Sequence, residues 1–184
     1  DKYNIEGVVT FTFINGYYQQ RNQVFPENLE VSTGLKDFEP NKIDVPPKMS
    51  DPFELLNSAF MDSCLSITIK ENLDFTSPIR FLYLSDSKTN LMISPKIHLK
   101  VSKKSSATFI EEHISSKGSL FHNQSTIIKL EKNSNLDHIR IQTNSHKTTN
   151  INSITINQKK DSSYNFTQFS EGSGLSRSNI NSYL

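Results

Sequence analysis

The chain has 184 residues, with 20 basic and 19 acidic side chains and a formal net charge of +1. That balance leaves no overall field to draw in nucleic acid or an acidic membrane surface, and no apolar run approaches the roughly twenty residues of a membrane span. Only 34% of residues are apolar, which suits a thin core, yet twelve Phe and short alternating runs of Ile, Leu and Val argue against disorder. The single cysteine, Cys64, excludes an internal disulfide framework and a cysteine-only metal site, and it fits a reducing compartment.

In chain order, residues 8–21 predict a hairpin, because Asn15-Gly16 sits between β-prone runs and a type I′ turn needs positive φ at both central positions. Residues 24–48 are polar and broken by Pro26, Pro40, Pro46 and Pro47, so they read as a linker or surface loop. Residues 50–63 predict a helix: Asp51 as cap, Pro52 at the first helical position and Glu54 closing a capping box. Phe53, Leu56 and Phe60 would share its buried face.

Past Cys64 the chain turns repetitive. Apolar pairs recur at Ile67/Ile69, Leu99/Val101, Ile128/Leu130 and Ile154/Ile156, at intervals of 32, 29 and 26 residues. Each of the last three is followed by five polar residues and then a second extended segment, opening at Ala107, Leu136 and Ser162. Leu73 interrupts the polar stretch of the first unit, and Ile180 would open a fifth. Strand, tight corner, strand and variable loop at this period is the pattern of a β-solenoid, in which each coil buries the apolar edge of its neighbour. An antiparallel sandwich competes for the same strands, but constant corner length favours the solenoid. The expected fold is all-β, a truncated parallel β-helix over residues 64–184, preceded by a hairpin, linker and helix over residues 1–63. The missing initiator Met and the end at Leu184 inside a strand-like run suggest a fragment.

Little in the residues points to catalysis. His98, His113, His122, His138 and His146 show no i, i+4 zinc spacing. Glu111 and Glu112 would point to opposite faces of a strand, which disfavours a carboxylate dyad, and with His113 they read as solvated strand residues. Cys64 follows a helix C-terminus, where an anion is disfavoured, and reads as a buried structural thiol. Gly172-Ser173-Gly174 lacks the strand-to-helix setting of a phosphate cradle. Lys103-Lys104 and Lys159-Lys160 occupy equivalent corners and read as a soluble edge, while Asn123-Gln124-Ser125 and Asn165-Phe166-Thr167 match the glycosylation pattern at a rate chance explains. No catalytic residue and no metal ligand is nominated, and cofactor-binding residues are left unassigned.

Six segments in register nevertheless carry a family resemblance: Phe13 to Gly16, Phe53 to Asp62, Ser77 to Tyr83, Thr108 to His113, Leu136 to Gln142 and Leu175 to Asn179. In this order the chain resembles the SufB/SufD family of iron–sulfur cluster assembly proteins, and most closely its SufD members. Ser63-Cys64 departs from the Gly that members often carry there. The resemblance implies a right-handed parallel β-helix and a non-catalytic, cytoplasmic scaffold of the SUF system, with SufB and the ATPase SufC as partners. It implies no cofactor held by this segment, the iron–sulfur cluster being transient in the full complex. The family's cysteine and histidine positions for cluster building match nothing here, so none is carried over. A β-solenoid carbohydrate-binding or lyase module is the alternative; it would need acidic and basic residues stacked on successive coils, a place that Glu111, Arg140 and Phe166 roughly occupy without forming a repeated set. A structural adhesin segment is a third reading, and it would call for a secretion signal.

Overall fold

The computed structural model describes residue 3 and residues 5–20, 24–34, 51–61, 63–86 and 89–184. The Asn15-Gly16 turn forms as its chemistry demands, with φ of 50° and 91°, joining β1 (Val9–Ile14) to β2 (Tyr17–Tyr18). A further strand, β3 (Leu29–Thr33), lies in the stretch expected to be irregular and pairs antiparallel with β4 (Ser63–Ile69). Its only apolar positions are Leu29 and Val31, too short an alternation to announce a strand without the partner that covers it. Pro40, Pro46 and Pro47 lie outside the described residues.

From β4 onward the chain alternates between two sheets. The first takes β5 (Asp74–Asp86), β8 (Ser106–Lys117), β10 (Asn135–Asn144) and β12 (Ser163–Gly172). The second takes β4, β7 (Pro95–Val101), β9 (Leu120–Leu130), β11 (Thr148–Gln158) and β13 (Leu175–Tyr183), with short β6 (Leu91–Ile93) beside β9. Neighbours within each sheet are parallel in sequence order, β5 to β8 to β10 to β12 and β4 to β7 to β9 to β11 to β13. This is a parallel β-solenoid of about four turns, not an antiparallel sandwich. At its start β1 extends the first sheet, parallel to β5, and β3 extends the second.

The corners are uniform. Four residues separate β4 from β5, β7 from β8, β9 from β10 and β11 from β12. Each corner holds one non-glycine residue with positive φ: Asn72, Lys104, Asn133 and Asp161. The coils stack there by backbone bonds, from Asn72 N to Lys103 O, Lys104 N to Lys132 O and Asn133 N to Lys160 O. Those positions repeat at 32, 29 and 28 residues. The last sequence interval of 26 was therefore two short: Ile156, not Ile154, sits on the Ile67–Leu99–Ile128 rung line, while Ile154 pairs with Thr126 and Ile180. A polar residue at an inward position hid the true register.

The helix α1 (Pro52–Phe60) lies against β9 and β11 on the outer face of the second sheet. Asp51 caps it by accepting from the Phe53 amide at 2.9 Å. Glu54 does not complete a capping box with Asp51; it accepts from the Thr155 hydroxyl at 3.2 Å. Phe60, expected to be buried, is 61% exposed, and the buried centre of the helix is Asn57. Its amide donates to Pro95 O at 3.0 Å and Asn123 O at 2.8 Å, and Asn123 in turn donates to Phe53 O. A short helix on a polar strand surface is held by bonds that an apolar stripe could not make.

Candidate functional site

The lumen between the sheets is not uniformly apolar. On the corner side the inward lines stay aliphatic, as in Ile67–Leu99–Ile128–Ile156. On the loop side of the first sheet three neighbouring lines turn polar past the early coils, the first of them only at His138. They run Val9–Ile79–Phe109–His138–Phe166, Phe11–Phe81–Glu111–Arg140–Gln168 and Phe13–Tyr83–His113–Gln142–Ser170. The facing strands supply His122, Gln124 and Thr126 from β9 and Asn150 and Asn152 from β11. Period-two alternation turns them all to the lumen side, although Gln168 and Ser170 on the last coil are exposed.

Glu111 is the hub. One carboxylate oxygen accepts from Gln124 Nε2 at 2.5 Å and Thr126 Oγ1 at 3.2 Å. The other lies 3.2 Å from Arg140 Nη1, 3.5 Å from His138 Nε2 and 3.8 Å from His113 Nε2. Arg140 donates on to Gln142 Oε1 at 3.2 Å and Asn150 Oδ1 at 3.0 Å. His138 Nδ1 meets the Tyr164 hydroxyl at 2.8 Å. Glu111, Arg140, His113 and His138 are all buried.

Burial alone would push the Glu111 carboxyl up; the adjoining His113 and His138 and the Arg140 guanidinium outweigh it and hold the group well below the usual carboxylate range. Burial, reinforced by Arg140, lowers His113 to about 4, and burial keeps His122 well below its ordinary value. Tyr83, stacked on His113 at 4.5 Å, is held protonated by burial and by the Glu111 charge. The cluster thus holds one ion pair, Glu111 with Arg140, beside His113 and His122, which resist taking a proton, and Tyr83, which resists losing one. Among the described residues no group of three or more His, Cys, Asp and Glu is placed to hold a metal ion.

Several sequence expectations change here. Glu111 and His113 are not solvated; only Glu112 faces outward, where Arg80 Nε donates to it at 2.8 Å. Glu111 and Arg140 do stack on successive coils, but inside, and Phe166 belongs to the neighbouring line beside His138. A polysaccharide has no access to that pair. Cys64 is buried as expected, its thiol pushed up to about 11 by burial against a smaller opposing pull from Lys96. Asn123 of the first glycosylation pattern is buried under α1. At Gly172 a Cβ would stand 1.8 Å from Asn144 O, so this glycine serves close coil packing, not an anion. Lys132 joins Lys103 and Lys160 at the stacked corners. The buried hub had one readable signal. Glu111 and Arg140 have opposite charges and lie 29 residues apart, the repeat interval at that point.

A two-sheet solenoid with an ion pair sealed in its lumen defines a structural class rather than an exposed reaction centre. Within that class the sequence is specific: residues 83–184 match the model of the SUF system FeS cluster assembly SufBD core domain. This chain belongs to that family. It is similar to the iron-sulfur cluster assembly SufBD family protein of Synechocystis sp., with 29% identity over 141 residues, 71% of this chain and 31% of the relative. The chain spans about a third of the length of that curated relative. Two of the six segments that carried the resemblance, Thr108 to His113 and Leu136 to Gln142, supply the hub. Two others meet outside the lumen, where Asn179 Nδ2 donates to the Asp51 cap at 2.7 Å and Arg177 lies over the Phe53 ring at 5.6 Å.

Proposed function

We propose that the chain is part of a SufD-type scaffold subunit of the SUF machinery, one that pairs with SufB, helps hold the ATPase SufC and catalyses no step itself. The family match over residues 83–184 carries this reading. The geometry supports it. Parallel ladders in both sheets, a helix bonded across β7, β9, β11 and β13, and a buried charge pair make a stiff rod, suited to transmitting a subunit rotation without bending. The Glu111–Arg140 pair is locked inside, where it orders coils and meets no substrate. On the family reading the subunit works in the cytoplasm; among the described residues no helix is long and apolar enough to cross a membrane.

Mixing the intact protein with its SufB and SufC homologues on a sizing column tests the proposal. Co-elution as one complex is the expected result; separate peaks for all three proteins would end the scaffold assignment. A sugar-binding isotherm in calorimetry together with separate peaks would instead favour the carbohydrate module.

A further inference from the structure

Two pairs of inward polar atoms in the lumen sit on adjacent rungs without a protein partner. His122 of β9 lies beside Asn150 of β11, and Gln124 beside Asn152. His122 Nε2, Asn150 Nδ2, Gln124 Oε1 and both amide atoms of Asn152 are buried and make no hydrogen bond within the chain. The opposite ends of these side chains are fixed: Asn150 Oδ1 by Arg140, and Gln124 Nε2 by Glu111 and Thr126. Asn150 and Gln124 therefore cannot turn their free ends without breaking the hub, while Asn152 makes no bond at either end of its amide. At the edge of the first pair stand two further unmatched atoms, the Tyr83 hydroxyl and His113 Nδ1. The Tyr83 and His113 ring centres are 5.4 and 4.9 Å from that of His122.

Strand spacing decides what fits. Rung neighbours bond directly where their side chains reach toward each other, as Asn165 does to Asp137 at 2.8 Å; these two pairs make no such bond, and their strands are about 4.8 Å apart. One water bonded to both at about 2.8 Å, with a near-tetrahedral angle between, spans that gap. Buried waters are found where two to four polar partners converge, and both pairs offer that. Donors and acceptors are mixed at each, and Arg140 is already matched by Glu111, so neither pair carries a spare charge to hold an ion.

We propose that the lumen of this solenoid is a binding site for ordered water, with one molecule bridging His122 and Asn150 beside His113 and Tyr83, and a second bridging Gln124 and Asn152. These waters complete the rungs where side chains alone leave buried polar atoms unmatched, a deficit that costs about 1–3 kcal/mol per group. They also give the neutral imidazoles of His113 and His122 partners that place no charge in the lumen.

Oxygen-17 relaxation dispersion on the unaltered protein counts long-lived internal waters, and a high-resolution crystal structure places them. The expected result is electron density for a water within hydrogen-bond reach of both members of each pair, with a matching dispersion amplitude. Replacing Asn152→Leu fills the second position, and the amplitude should fall by one water while the first stays. If that variant does not fold, Asn152→Ser keeps the polarity, shortens the side chain and should gain a water. Empty density between the rungs, or direct bonds between His122 and Asn150 and between Gln124 and Asn152, would overturn the inference.

Discussion

Replacing Arg140→Met is the most informative single perturbation. It keeps most of the side-chain volume while removing the guanidinium that faces Glu111 at 3.2 Å in a fully buried setting. Removing one partner of a buried pair costs about 3–5 kcal/mol, because the remaining charge is left without compensation. The same change strands Gln142 Oε1 and Asn150 Oδ1, which now accept from the guanidinium. A domain is stable by about 5–15 kcal/mol in all, so the loss is a large share. Urea unfolding followed by circular dichroism should show a lower midpoint, with the slope kept to confirm that the exposed surface is unchanged.

Glu111→Gln should be costly for the mirror reason, leaving Arg140 buried and unmatched. The double variant should then recover at least about 2 kcal/mol of the summed single losses, the coupling expected of contacting charges. Acid sharpens the test. With Arg140 gone, Glu111 loses one of the groups that hold it ionised and its carboxyl moves toward the neutral form, so the gap between variant and wild type should narrow as pH falls. Single losses below about 1 kcal/mol, or strictly additive ones, would show that the pair does not organise the lumen and would refute this reading of the hub.

Other consequences are simpler to measure. His113 is near 6.5 when unfolded and about 4 when folded, so the unfolded chain takes the proton first. Its contribution is complete above pH 6.5 and lost as pH falls to 4, about 3 kcal/mol in all, and a thermal-melt series should show that decline flattened in His113→Phe. Lys104 adopts φ of 55° at a corner, so Lys104→Gly should stabilise by about 0.5–1 kcal/mol by relieving strain, while Gly172→Ala should destabilise by more than 1 kcal/mol through its clash with Asn144 O. Cys64, with its thiol near 11 and buried, should resist a thiol-labelling reagent at pH 8 in native buffer and react promptly in denaturant.

The architecture was legible where local chemistry repeats. Asn15-Gly16, the Asp51 cap and the polar corners depend on a few neighbouring residues, so their patterns survive without knowledge of the fold. Legibility failed where a residue's role depends on the next coil. Glu111 in isolation is a carboxylate on a polar strand; only its alignment with Arg140 makes it a core residue. Phe60 misled for the opposite reason, since a helical stripe says which side chains share a face and not whether the receiving surface is apolar. That surface presents Asn123 and Thr155, and Asn57 and Glu54 answer it.

The same logic explains how a chain only 34% apolar sustains a core. In a solenoid each inward side chain is flanked above and below at about 4.8 Å, so a polar group always has a rung neighbour within reach of a partner or a bridging water. Phe81 and Phe109 pack the early coils, and from β8 onward the lumen exchanges apolar bulk for Glu111, Arg140, His138 and Gln142 without leaving a charge unmatched. Oil tolerates slippage between coils, whereas Glu111 beside Arg140 does not: a shift of two residues would set Glu111 against His138 or Gln142 and strand the guanidinium. The buried pair therefore fixes register, and fixed register is what a subunit needs if its partners are to meet the same surface each time.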